Sequence, residues 1–166
     1  PNLKNSPGGL RDLQTIGWVA KRHFGATYIR DLVDHGFLTE SELDTLNQGE
    51  LYLWSVRYAL HMISGRKEDR LLFDHQRVLA EFFGYKDQQG ALAVEQFMSK
   101  YYRVAMAMAE FNDMLLQYFD EAILKIEDQQ TFITVNKRFR VHNGYLEATY
   151  DRVFEKHPFA LLEVFV

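Results

Sequence analysis

The sequence predicts a mainly α-helical protein, an up-and-down helical bundle with a small β-hairpin near the C-terminus. Three observations lead there. Through most of the first 126 residues, apolar side chains recur at the spacing that lines one face of a helix. No glycine or proline interrupts that spacing between Gly90 and Ile126. After Asp128 the pattern turns to short strand-like runs, and Asn143-Gly144 is a strong signal for a tight hairpin turn.

Leu10, Leu13, Ile16, Gly17 and Ala20 place the first helix between the Gly8-Gly9 pair and about His23, with Ser6 as its expected cap and Gly25 as its stop. A short helix over Tyr28 to Asp34 ends at Gly36. Thr39-Glu40-Ser41-Glu42 has the capping-box order, so another helix starts there and frays near Asn47. Gly49 lies near the start of the next, Glu50 to Ser64, which stops at Gly65. A further helix is expected over Asp69 to Phe83, ending at Gly84. Gly90 to Ile126 then forms one helix whose roughly 37 residues extend about 55 Å, the spine of a bundle. Its apolar stripe, with Trp18 and Trp54 elsewhere, is assigned to the core. Phe132 to Val135, Phe139 to His142 and Tyr145 to Ala148 form a β-ribbon, and Thr149 or Asp151 caps a last short helix before Pro158.

At 166 residues, 47% hydrophobic and 25% charged, the chain can bury one core and has the balance of a soluble globular domain. Its formal net charge of −4 argues against nucleic acid as a partner, despite basic clusters at Lys21-Arg22-His23 and Lys137-Arg138. Without cysteine there is no disulfide framework, thiolate nucleophile or cysteine zinc site, in keeping with a reducing cytoplasm. No apolar run reaches the ~20 residues of a membrane span, and no signal-peptide pattern opens the chain. The abrupt start at Pro1-Asn2 and the terminal apolar run from Ala160 suggest a piece of a longer protein.

Catalytic templates are missing. Metal-dependent nucleotidyl transfer needs paired strand carboxylates, and no Gly-Ser followed by Asp-x-Asp occurs. Asp34-His35 and Asp74-His75 occur, but no His-Asp dipeptide does. Serine-elbow, zincin and P-loop patterns are likewise absent. No catalytic residue and no metal ligand is therefore assigned.

Two constellations nevertheless carry candidate binding residues. Lys4, Gly8, Gly9 and Arg11 flank a helix N-terminus, where free amides, glycines and two cations make an anion site. The same residues also suit a plain cap and hinge. Arg57 and His61 share one helix face, and Arg66, Asp69, Arg70 and Asp74 follow across the turn at Gly65. Either Asp69 and Asp74 neutralise Arg66 and Arg70 as a structural network, or Arg57, His61 and Arg70 face a substrate supplied by a neighbouring domain.

The opening segment through Trp18, the run Leu53-Trp54-Ser55-Val56-Arg57 continuing through Gly65 to Gln76, and Ala93-Val94-Glu95-Gln96-Phe97-Met98 with Tyr101-Tyr102-Arg103 carry a resemblance. In order and spacing they resemble the central helical domain of the bacterial bifunctional PII uridylyltransferase/uridylyl-removing enzymes, over essentially the whole chain. The resemblance implies the substrate-binding helical bundle of nucleotidyltransferases. Residues 1–9 would link it to a preceding nucleotidyltransferase domain, 10–127 would form the bundle, 131–148 the ribbon, and 149–166 would lead to a metal-dependent phosphohydrolase domain. The parent enzyme would transfer UMP from UTP to PII with Mg2+ and remove it when glutamine is plentiful. This part would position nucleotide and protein, with Lys4, Gly8, Gly9 and Arg11 nearest the nucleotide. The alternative is a non-enzymatic helical interaction module, or the substrate-binding domain of a related nucleotidyltransferase.

Overall fold

The computed structural model describes residues 1–126, 132–142 and 144–164. Seven helices and three strands occur among them, in the order α1 (Leu10–Phe24), α2 (Asp31–Asp34), α3 (Glu40–Ser64), α4 (Phe73–Phe82), α5 (Ala93–Ile126), β1 (Phe132–Thr134), β2 (Phe139–His142), β3 (Tyr145–Ala148), α6 (Val153–Lys156) and α7 (Ala160–Glu163). They form two compact units, Pro1–Phe119 and Asp120–Val166, where composition alone suggested one domain. Each unit has its own apolar cluster.

In the first unit α1 buries Leu10, Leu13, Ile16 and Ala20, one stripe at helical spacing, and ends on Gly25 in the left-handed region. Lys21, Arg22 and His23 occupy its last turn, where the helix dipole favours cations. The capping box of α3 is fully made: the Glu42 amide donates to the Thr39 hydroxyl at 3.2 Å, and the Thr39 amide to the Glu42 carboxylate at 2.7 Å. The Thr39 amide, and after it the Thr39 hydroxyl, donate to the Glu42 carboxyl and hold it below its ordinary pKa. α3 packs against α1 and α4, and Phe97, Tyr101, Met108, Leu115 and Phe119 bring the apolar stripe of α5 into the same core.

Four expectations change. The helix starting at Thr39 does not fray near Asn47; α3 runs unbroken through Gly49 to Ser64. Gly49 is there for close approach, since a Cβ would stand 2.5 Å from Met108 Cε and 2.6 Å from its sulfur. α4 begins at Phe73, not Asp69, because Leu71 is drawn into the core and its amide donates to the Pro1 carbonyl at 2.8 Å. The long helix begins at Ala93, where Glu95 and Asp87 accept from the Leu92 and Ala93 amides at 2.9 and 2.8 Å. Trp18 and Trp54 are 64% and 41% exposed, so neither is a core residue.

The second unit holds an antiparallel sheet in the order β1-β2-β3, with His142 opposite Tyr145 in the β2–β3 pair. Gly144 takes φ +88° beside it, whereas Asn143 lies outside the described residues. Phe139, Val153 and Ala160 form its small core. The Arg138 guanidinium grips Glu163 of α7 through two bonds, 2.6 and 3.0 Å. Neither Thr149 nor Asp151 caps α6; its N-cap is Arg152 at φ +67°, and the Thr149 hydroxyl donates instead to the Lys137 carbonyl at 2.9 Å.

Candidate functional site

The candidate residues fall on two segments that the fold stitches together. The Leu3 amide donates to the Asp69 carbonyl at 2.8 Å, and Asn2 pairs with Arg70 as an isolated antiparallel bridge. Residues 1–4 therefore run beside the turn that carries Asp69 and Arg70. Spacing in the sequence could not show this adjacency.

The N-terminal segment is a tight, self-satisfied knot. The Asn2 side-chain carbonyl accepts from the amides of Lys4 and Asn5 at 3.0 and 2.8 Å, and Ser6 Oγ accepts from the Asn2 amide at 2.9 Å. Ser6 is thus not the helix cap; Gly9 holds that place without a side-chain bond. Amides from Gly8 to Asp12 all donate within the chain: Gly8 to the Asp12 carboxylate at 2.7 Å, and Gly9, Leu10, Arg11 and Asp12 to backbone carbonyls. The anion cradle expected at Gly8-Gly9 is consequently occupied by the chain's own groups. Both glycines serve packing: a Cβ on Gly8 would meet the Ala105 carbonyl oxygen at 1.8 Å, and one on Gly9 would meet Ser6 O at 2.7 Å. Lys4 is half-buried with no ion pair among the described residues, and exposed Arg11 donates to Asn5 Oδ1 at 3.0 Å.

At the end of α3 lies the polar corner. Arg57 Nε donates to Asp69 Oδ1 at 2.6 Å and its Nη2 to Oδ2 at 3.4 Å, while His61 Nε2 stands 3.4 Å from the same carboxylate. The Arg57 guanidinium also lies 5.2 Å from the Trp54 ring centroid, a cation–π contact. Hydrogen bonding from Arg57, more than any other influence, lowers the Asp69 pKa. Arg70 is placed elsewhere: its Nε and Nη2 donate to Glu68 at 2.9 and 3.1 Å, its own amide adds a bond of 2.9 Å, and Arg66 contributes one of 3.3 Å.

The neutralising carboxylates are thus Glu68 and Asp69, not Asp69 and Asp74. Glu68 is buried at 5% exposure, the one buried charged residue among those described, and it escaped the sequence reading. Its signal was an acid flanked by arginines two positions away on either side in a turn. The side chains of Arg66 and Arg70 remain 67% and 63% exposed, leaving a cationic rim above a satisfied carboxylate. Chemically the corner can hold position and attract anions; among the described residues no group of three histidine or carboxylate side chains is placed to hold a metal.

The Arg70 side-chain and backbone bonds pull the Glu68 carboxyl from 4.5 down to about 2. Because the folded value lies below the unfolded one, the associated stability is complete above pH 4.5 and is lost as pH falls towards 2. Thermal melts followed by circular dichroism are expected to show a falling Tm across that window, with a shallower slope in Glu68→Gln. Equal slopes would show that the pair does not hold the turn.

The family profile described as GlnD PII-uridylyltransferase matches residues 1–116, the greater part of the chain and nearly all of the first unit. The chain belongs to this PII-uridylyltransferase family. Its relatives include the "bifunctional uridylyltransferase/uridylyl-removing enzyme" of Pseudomonas aeruginosa PAO1, 55% identical over all 166 residues, and that of Pseudomonas putida KT2440, 52% identical over the same length. The Pseudomonas fluorescens SBW25 relative is 51% identical over the whole chain. The chain spans 18% of the length of each of these relatives. No solved structure matches it. Within the PII-uridylyltransferase family, then, this segment is a helical unit followed by a small sheet, and none of its described helices is long and apolar enough to cross a membrane.

Proposed function

We propose that this chain is the helical supporting part of a cytoplasmic bifunctional uridylyltransferase/uridylyl-removing enzyme, which transfers UMP from UTP to the PII protein and hydrolyses it off again. The observation that carries the reading is identity of more than half over the full chain with relatives of that printed name. The part played here is positioning, not chemistry. In this reading UTP and Mg2+ are assigned to a nucleotidyltransferase portion of the parent; among the described residues no group of three histidine or acidic side chains is placed to hold a metal. Uridylyl removal belongs to a separate phosphohydrolase portion.

Within this reading Lys4 and Arg11 form the nucleotide-facing edge, the glycines between them set the backbone that presents it, and Arg57 and His61 hold the turn from which Arg70 faces the substrate. Support comes from the bridge between Asn2 and Arg70, which joins the two candidate segments into one rim. The intact parent protein is expected to incorporate labelled UMP into PII, and failure to do so overturns the reading. In that parent, Arg70→Ala is expected to raise the KM for UTP or PII and, by leaving buried Glu68 without its main partner, to lower Tm as well. Unchanged KM with a lowered Tm would reduce the rim to a structural clamp.

A further inference from the structure

Between α3 and α5, on the first unit, lies a groove of about 430 Å³ that the candidate segments do not touch. Thr45, Gln48 and Tyr52 line it from α3 at helical spacing, and Lys100, Arg103 and Met108 from α5. Its size lies within the range of small-molecule sites. Gly49 also lines it, and the Met108 methyl and sulfur lie where its Cβ would stand.

Two features of this groove lack an internal explanation. The Tyr52 hydroxyl is buried with no hydrogen-bond partner, although buried tyrosine hydroxyls are normally paired. Lys100 and Arg103, one turn apart on α5, make no ion pair among the described residues, and no acidic side chain lines the groove. Lys100 Nζ sits 4.9 Å from the Tyr52 ring centroid, so cation and hydroxyl-bearing ring share one wall. Burial drives the Tyr52 pKa upward, which keeps its hydroxyl a donor at neutral pH. Gln48 Nε2 donates outward to Asp44 at 2.7 Å and the Thr45 hydroxyl to the Ser41 carbonyl at 2.9 Å, so the donors that await an acceptor are those of Tyr52, Lys100 and Arg103.

We propose that this groove binds a small phosphate monoester with an apolar or aromatic body, its phosphate against Lys100 and Arg103 and the Tyr52 hydroxyl, its body over Val104, Ala107 and Met108. Two cations and a neutral donor suit a dianion, and the apolar wall distinguishes an organic phosphate from the inorganic ion.

The test is an amide-detected NMR titration of the 166-residue chain with phenyl phosphate, alongside inorganic phosphate and benzoate. Saturable shifts are expected at Gln48, Gly49, Tyr52 and Arg103, with inorganic phosphate and benzoate each binding about ten-fold more weakly. The double variant Lys100→Gln/Arg103→Gln is expected to weaken phenyl phosphate by at least about ten-fold with an unchanged Tm, because both side chains lie on exposed residues. Tyr52→Phe separates ligand from fold: it removes an unpaired hydroxyl, so Tm should hold or rise while affinity falls about five-fold or more. No saturable binding overturns the proposal, as do equal affinity for inorganic phosphate or benzoate and unaltered affinity in either variant.

Discussion

Replacing Gly8 with alanine is expected to cost the first unit about 3–5 kcal/mol of stability, a large share of what a domain of this size possesses. The added Cβ would lie 1.8 Å from the Ala105 carbonyl oxygen and 2.6 Å from its carbonyl carbon. Those atoms belong to the backbone of α5, so no rotamer change relieves the overlap. The φ of +73° adds a conformational cost that an L side chain pays and glycine does not. Urea denaturation should show a lower midpoint with an unchanged slope. Ala105→Gly should not rescue it, because the colliding atoms are not those of the alanine side chain. A loss below about 1 kcal/mol would mean that the segment lifts away from α5 at little cost.

Leu3→Ala is the second large effect, expected at about 2–5 kcal/mol for removing a fully buried leucine side chain. Leu3 is 0% exposed, its amide donates to the Asp69 carbonyl at 2.8 Å, and its carbonyl accepts from the Leu10 amide at 3.0 Å. One side chain thus pins the start of α1 and the turn below Arg70 to the same core. Hydrogen exchange at the amides of Leu3 and Leu71 should accelerate together, since Leu71 donates to Pro1 on the same segment. If residues 1–9 acted as a linker, the substitution would change stability by no more than about 0.5 kcal/mol, as exposed positions do.

These two results bear on the proposed function as well as on the fold. In the proposed reading the opening segment joins this part to a catalytic portion, and it transmits position only if it is firmly attached. Leu3, the Gly8 contact and the Asn2 bridge to Arg70 supply that attachment over a few residues. The Glu68 and Asp69 carboxylates then fix Arg70 and Arg57 relative to it.

Local signals in the sequence translated well into structure. The capping box at Thr39, the left-handed stops at Gly25 and Gly65 and the uninterrupted helix to Ile126 act within a few residues of themselves, so their meaning does not wait for the rest of the chain. The candidate site was only half legible. Arg57, His61 and Arg70 were identifiable as one polar corner, but the partner of each was not. Gly49 carried the same letter as a helix stop, and only Met108 standing against it marks it as a contact. Trp18 and Trp54 have core-like side chains, yet their helix faces turn outwards, a matter of which side of α1 and α3 the other helices cover.

By itself, then, the sequence determined most of the helices and strands, though not the continuity of α3 or the start of α4, and which family the motifs resemble. The tertiary structure alone decided that Leu3, Gly8 and Gly9 of the opening segment are buried, that Glu68 is the buried acid of the corner, and that Tyr52, Lys100 and Arg103 share a groove. Turns and caps are set by neighbours along the chain, whereas burial and charge pairing join segments brought together only when the apolar faces of α1, α3, α4 and α5 close on one another.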